Sequence, residues 1–212
     1  MGTVMRVSLA TVTIVGIAGV VLRLSGYGER IATAFQRFEA DFQPWFSEGP
    51  LGPFAARHYA PLYTWLYAAY AKGIDLQPDD EVLDVACGSG VFLAKHARHV
   101  ERIAGLDQSR TMIDQAVVEN AERVADGTAE FVVGDAAALP WDDDTFSIVT
   151  SNDVSCYEAK APTAIKEMYR VLKPGGRAVV GQDRREMLEA AGFSRVSGRH
   201  VMGAYQTTGY KD

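Results

Sequence analysis

From residue 76 the sequence alternates short apolar runs with stretches of helical period, and this alternation is the strongest limit on what the chain can fold into. The runs predict strands at Glu81–Val85, Arg102–Leu106, Glu130–Val133, Thr145–Thr150 and Arg177–Gly181. Between them, helices are predicted at Val91–Arg98, Thr111–Asn120 and Thr163–Leu172. The last of these places Ile165, Met168, Tyr169 and Leu172 on one stripe. Short helical connections between apolar strands imply a parallel sheet covered by helices on both faces.

The first strand runs into the turn Ala86-Cys87-Gly88-Ser89-Gly90 and a helix follows at once. Small residues let backbone approach a ligand closely, and free N–H groups at the helix start favour an anion. The dinucleotide fingerprint G-x-G-x-x-G/A is not met, because Gly88-Ser89-Gly90 is followed by Val91, Phe92 and Leu93. The strand also carries an acid, Asp84, beside the turn. A pyrophosphate would be repelled there, whereas an amine would be welcomed.

An acid before a tight glycine turn resembles the first motif of the class I S-adenosylmethionine-dependent methyltransferases. The family's first glycine is Ala86 here. Four further segments resemble the family in the right order. They are Ile103-Ala-Gly-Leu-Asp107, Phe131-Val-Val-Gly-Asp-Ala136, Leu139-Pro-Trp141 leading into Phe146-Ser-Ile-Val149, and Met168-Tyr-Arg-Val-Leu-Lys-Pro-Gly-Gly176. The last run is shared with ubiquinone and menaquinone biosynthesis methyltransferases, but it is widespread and does not fix a substrate. The resemblance implies a Rossmann-like, doubly wound, mostly parallel seven-stranded sheet with an N-terminal helical extension. It implies S-adenosylmethionine as cofactor. Asp84 would lie near the methionine ammonium, with Ala86, Cys87, Gly88, Ser89 and Gly90 approaching the methionyl and ribose groups. Asp107 would accept the ribose hydroxyls, with Gln108 and Met112 beside it. Asp135 and the Ala136 N–H would meet the adenine, and Asn152 would follow the fourth strand toward the acceptor.

After the fifth strand the family usually inserts tens of residues over the site. Here Gln182-Asp183 runs directly into Arg184 to Phe193, which looks like the family's late helix, so the last two strands fall near Arg195–Arg199 and Met202–Thr208. Residues 26–75 would then serve as a helical cap, with a helix over Glu29–Phe42 and an aromatic stretch from Phe54 to Lys72 stopped by Gly73. Residues 76–212 would form the methyltransferase domain. The aromatic residues Phe54, Tyr59, Tyr63, Trp65, Tyr67 and Tyr70 suit a lipophilic acceptor, although helix packing is the commoner reason for such a set and a membrane-contacting surface is a further one.

The N-terminus has a different character. No charge falls between Arg6 and Arg23. At about 1.5 Å per residue, Val4–Leu24 matches a hydrocarbon core of about 30 Å. A membrane-anchor helix over residues 1–25 is expected, and the basic residues Arg23, Arg30 and Arg37 after it place the following domain in the cytoplasm. A cleaved signal peptide and a helix packed on the domain are the competing readings. The first lacks a small-x-small cleavage site. N-myristoylation fails because position 6 is Arg rather than Ser or Thr.

A net charge of −6 argues against a nucleic-acid partner. Cys87 and Cys156 are too far apart for a C-x-x-C pair, and no His, Cys and carboxylate grouping has metal-ligand spacing. Methyl transfer from a sulfonium mainly requires alignment of nucleophile, carbon and sulfur. A base is needed only where the acceptor must lose a proton, and Asp153, Tyr157, Glu158, His58 and Tyr59 are candidates. The expected function is transfer to a small, lipophilic acceptor. A membrane-tethered cofactor-binding protein without transferase activity is the alternative, favoured by the short region after Gln182. A nicotinamide dehydrogenase is disfavoured by Asp84 and Leu93.

Overall fold

The computed structural model describes residues 64–152, 159–201 and 204–212. Helix α1 (Thr64–Ile74) is followed by β1 (Glu81–Val85), α2 (Val91–His96), β2 (Arg102–Asp107), α3 (Arg110–Glu119), α4 (Ala121–Ala125) and β3 (Ala129–Val133). The chain continues through β4 (Phe146–Ser151), α5 (Ala161–Val171), β5 (Leu172–Gly181), α6 (Arg185–Ala191), β6 (Ser194–Val201) and β7 (Ala204–Tyr210). The strands form one sheet in the order β3-β2-β1-β4-β5-β7-β6. The first five are parallel, and β7 runs antiparallel between β5 and β6. The expected mostly parallel, seven-stranded sheet is therefore present.

The alternation of side chains along each strand divides the core in two. Val82 of β1 and Ile148 of β4 join Phe92, Leu93, Tyr70 and Ile74 under α1 and α2. Their neighbours Leu83 and Val149 join Ile165, Met168 and Leu188 under α5 and α6. Asp84 and Thr150 are one step further along. They share the α1–α2 side, and the parallel register sets them directly opposite each other.

The chain leaves β1 toward β2 and β3, then returns to the other side of β1 as β4. The order reverses between β1 and β4, and in such sheets ligands bind beyond the carboxyl ends at that boundary. Every expected site residue the structure describes lies near this edge.

Several expectations need adjusting. Gly73 does not end α1, which reaches Ile74. A Cβ there would lie 2.0 Å from Arg199 Nη2, so the glycine lets the helix sit against β6. The carboxyl end of α1 is closed instead by Arg177, whose guanidinium donates to the carbonyls of Ile74 and Asp75. Strand β5 begins at Leu172, because the Lys173 to Gly176 excursion rejoins the ladder through hydrogen bonds with Lys211. The short helix α4 was not expected.

The membrane placement is overturned. Among the described residues no helix is long and apolar enough to cross a membrane. The longest, α1 and α5, have 11 residues each. At about 1.5 Å per residue that is about 16 Å, against a core of about 30 Å. Residues 4–24, on which the anchor and the cytoplasmic orientation were argued, lie outside the described residues, as does the helix expected over Glu29–Phe42. So do the base candidates His58, Tyr59, Asp153, Tyr157 and Glu158.

Candidate active site

The turn after β1 is built from three residues in left-handed backbone: Ala86 (φ 59°), Gly88 (φ 54°) and Gly90 (φ 71°). This tight path ties the turn to its neighbours. The Cys87 N–H donates to the Leu106 carbonyl at 3.0 Å, and the Gly90 N–H to the Cys87 carbonyl at 3.1 Å. The two glycines serve different ends. A Cβ on Gly88 would meet nothing within 4 Å, so this side of the turn is open to a ligand. A Cβ on Gly90 would lie 2.8 Å from Asn120 Nδ2 and 2.9 Å from the Ala116 Cβ, so this glycine lets α3 pack against the start of α2.

Asn120 is a site-building residue that the sequence reading missed. Its buried amide donates to the carbonyls of Gly90 and Ala116 and fastens the turn to α3. The available signal was a polar residue on the stripe that carries Ile113 and Ala116. Thr150 was also missed. Its hydroxyl donates to Asp84 Oδ1 at 2.7 Å.

Asp84 is only 2% exposed. Burial pushes its pKa up to about 7, the Thr150 hydrogen bond pulls it back in part, and the Asp107 charge pushes it up further. A carboxylate in such a position gains most from a cation placed beside it. The neighbouring Cys87 thiol is also buried, and its pKa is raised well above the ordinary value by burial and by the Asp107 and Asp84 charges. It is therefore a neutral packing group at physiological pH.

Asp107 ends β2 and links the turn to α3. Its Oδ2 accepts the Gly88 N–H and its Oδ1 accepts the Ser109 N–H, both at 2.9 Å. Ser109 in turn caps α3 by accepting the Met112 N–H. Gln108 is exposed and Met112 half-buried at the start of α3.

The Gly134 N–H donates to the Asp107 carbonyl and brings the connection after β3 against the end of β2. Asp135 follows, half-exposed. Its Oδ1 accepts the Ala137 N–H at 3.0 Å and its Oδ2 pairs with Lys160 Nζ at 2.5 Å. Ala136 is buried in the core. Asn152 lies farther along the edge, where its carbonyl crosses so close to β5 that a Cβ on Gly181 would lie 2.2 Å away. Beyond Gly181 only Gln182 to Arg184 precede α6, so the connection between β5 and α6 is short.

Three acids along one sheet edge suit a ligand that brings positive charge, hydroxyls and an amino group. They would oppose a pyrophosphate. The chemistry of this donor and acceptor set fits S-adenosylmethionine, which carries a sulfonium, an ammonium, two ribose hydroxyls and an adenine amino group.

Residues 83–180 match the model of a methyltransferase domain. This segment carries a methyltransferase domain of the class I, S-adenosylmethionine-dependent type. Among curated relatives of this chain, a 24-methylenesterol C-methyltransferase 2 of Arabidopsis thaliana is 31% identical over 107 residues, covering 50% of this chain and 30% of the relative. A demethylmenaquinone methyltransferase of Symbiobacterium thermophilum is 35% identical over 106 residues, covering 49% of this chain and 42% of the relative. The chain thus spans less than half the length of these curated relatives. The solved structure of a TehB-like SAM-dependent methyltransferase from Corynebacterium glutamicum superposes with a TM-score of 0.60 at 22% identity, covering 76% of this chain and 100% of that chain. The fold is shared with that protein.

Proposed function

We propose that this chain transfers a methyl group from S-adenosylmethionine to a small, lipophilic acceptor by in-line displacement. The reading rests above all on the pairing of two acids around one open turn: Asp84, buried at the end of β1, and Asp107, held by the turn's own Gly88 N–H. When bound, the cofactor supplies a methyl group activated by a sulfonium. The chain's part is to bind and align. Asp84, oriented by Thr150, would hold the ammonium, and Asp107 would accept the ribose hydroxyls. Asp135 would accept from the adenine amino group, with the Ala136 N–H donating to the ring. The open face of Gly88 would admit the methionyl group, and Asn152 would border the acceptor. The lipophilic acceptor class is supported by the two relatives named for a sterol and a demethylmenaquinone.

Calorimetric titration with S-adenosylmethionine, S-adenosylhomocysteine and NAD tests the cofactor. The first two should bind and the third should not, and Asp107→Ala should weaken the first two by about tenfold or more, the scale of hydrogen bonds to a charged group. Tight NAD binding, or an Asp107→Ala variant of unchanged affinity, would refute the assignment. Transfer of a labelled methyl group to a panel of quinols, phenols, sterols and polar small molecules tests the acceptor. Turnover confined to polar acceptors would overturn the lipophilic class, and binding without any turnover would overturn the transferase itself.

A further inference from the structure

We propose that Lys160 sets the base specificity of the cofactor site: by anchoring the Asp135 carboxylate it makes the rim select a purine with an exocyclic amino group over one with an oxo group in the same place. This rests on the reading of Asp135 as the adenine contact.

Asp135 leaves the sheet after β3, and Lys160 stands just before α5, in the connection that follows β4. In the sheet β3 and β4 are separated by β2 and β1. At about 4.8 Å per strand their ends are about 14 Å apart. The ion pair therefore joins the two connections that flank the strands carrying Asp84 and Asp107. From the other side, the Gly134 N–H fixes the backbone before Asp135 to the Asp107 carbonyl at 3.0 Å. Asp135 is thus positioned twice, through its backbone by β2 and through its side chain by Lys160.

The division between its oxygens matters. Oδ1 is engaged by the Ala137 N–H within the same loop, and Oδ2 by the Lys160 ammonium. Lys160 first, and Ala137 after it, hold the Asp135 pKa below the ordinary carboxylate value. An ionised carboxylate only accepts hydrogen bonds, and two donors leave about two of its acceptor positions for a ligand. It welcomes an amino N–H and repels a carbonyl oxygen. With Lys160 removed, a half-exposed carboxylate keeps one local bond and is free to turn toward water. The discrimination should then fade even though Asp135 is still present.

Calorimetry with S-adenosylhomocysteine and S-inosylhomocysteine reads this directly. Wild type should prefer the adenosyl compound by about tenfold or more, the scale of one hydrogen bond to a charged group. Lys160→Met should cut the ratio to about threefold or less, and Lys160→Arg should keep most of it. Asp135→Asn, which can both donate and accept, should abolish it. If Lys160→Met keeps the full ratio while Asp135→Asn loses it, Lys160 has no such role and the adenine assignment stands. If neither variant changes the ratio, both fall. Equal weakening of the two ligands in Lys160→Met also overturns the proposal, because Lys160 would then support only the fold.

Discussion

Asp84 and Asp135 are the same side chain on the same edge of one sheet, yet their surroundings drive them in opposite directions. Asp84 sits at the inner end of β1, 2% exposed, and burial raises its pKa to about 7. Asp135 stands on the outer rim with a side chain 47% exposed, and the Lys160 ammonium lowers its pKa. On the proposed reading the inner region would recognise by deprivation, since a carboxylate short of solvation gains by acquiring a cation. The rim would recognise by position, since an already satisfied carboxylate contributes only the direction of its remaining lone pairs. One part of the site should therefore govern affinity and its pH dependence, and the other selectivity.

The largest expected effect tests the inner region. Folding raises the Asp84 pKa from 3.8 to about 7, so the folded state holds a proton that the unfolded state releases. The resulting stability is complete below about pH 4 and is lost as pH rises to about 7. At about 1.4 kcal/mol per unit, up to about 4 kcal/mol is at stake. Asp84→Asn should remove this slope from urea unfolding measured at pH 5 and pH 8. Ligand binding should show the reverse trend, because an ammonium favours the ionised carboxylate. S-adenosylhomocysteine affinity should rise between about pH 6 and pH 7.5 in wild type and stay flat in the variant. Equal slopes in both proteins would mean that burial of Asp84 does not set the behaviour of this region.

Next in size is Gly90→Val. Its side chain would enter the space of Asn120 and Ala116, at a backbone angle of φ 71° that disfavours a branched residue. Overpacking and left-handed strain together should cost about 3 kcal/mol. Chemical denaturation measures this loss, and calorimetry should show cofactor affinity falling with it. A variant of near wild-type stability would show that α3 does not brace the turn.

How much of this contrast could be read from the sequence depends on how local each cause is. The strand, the turn and the acids Asp84 and Asp107 were legible because their signals lie within a few residues. Thr150 was not, because its role comes from lying beside Asp84 across two parallel strands 66 residues apart. Nothing local announces that register. Asn120 belongs to the same class, a helix-end polar residue whose meaning depends on which turn comes to rest against it. Asp135 was legible as a loop acid with family-like neighbours, but Lys160, 25 residues on, was not legible as its partner. The short α4 escaped because it follows α3 after Asn120 alone, with no break in the helical pattern.

Ala86 gives a smaller and opposite effect. It holds φ 59° where the family's turn has glycine. An L-residue in that region costs about 1–2 kcal/mol. Ala86→Gly relieves this but loses about 0.5–1 kcal/mol to the greater freedom of the unfolded chain. A net gain of about 0.5–1 kcal/mol is expected in thermal or urea unfolding, with cofactor affinity unchanged. A net loss would mean that the alanine methyl makes packing contacts that outweigh its strain.

The smallest effect is the sharpest test of the comparison. Lys160→Met breaks an ion pair whose partners are both about half in water. Such pairs contribute about 0–1 kcal/mol, because water and salt already satisfy both charges when the pair opens. Unfolding free energy should change by less than about 0.5 kcal/mol, and less still in 0.5 M salt, where exposed charges are screened over a few ångströms. The same substitution should nevertheless shift the preference between the two nucleoside thioethers. A residue that moves selectivity without moving stability acts on direction alone, as the rim reading requires. If Lys160→Met instead costs 2 kcal/mol or more, the pair is an element of the fold, and Asp135 belongs with Asp84 among the groups whose behaviour is set by the interior.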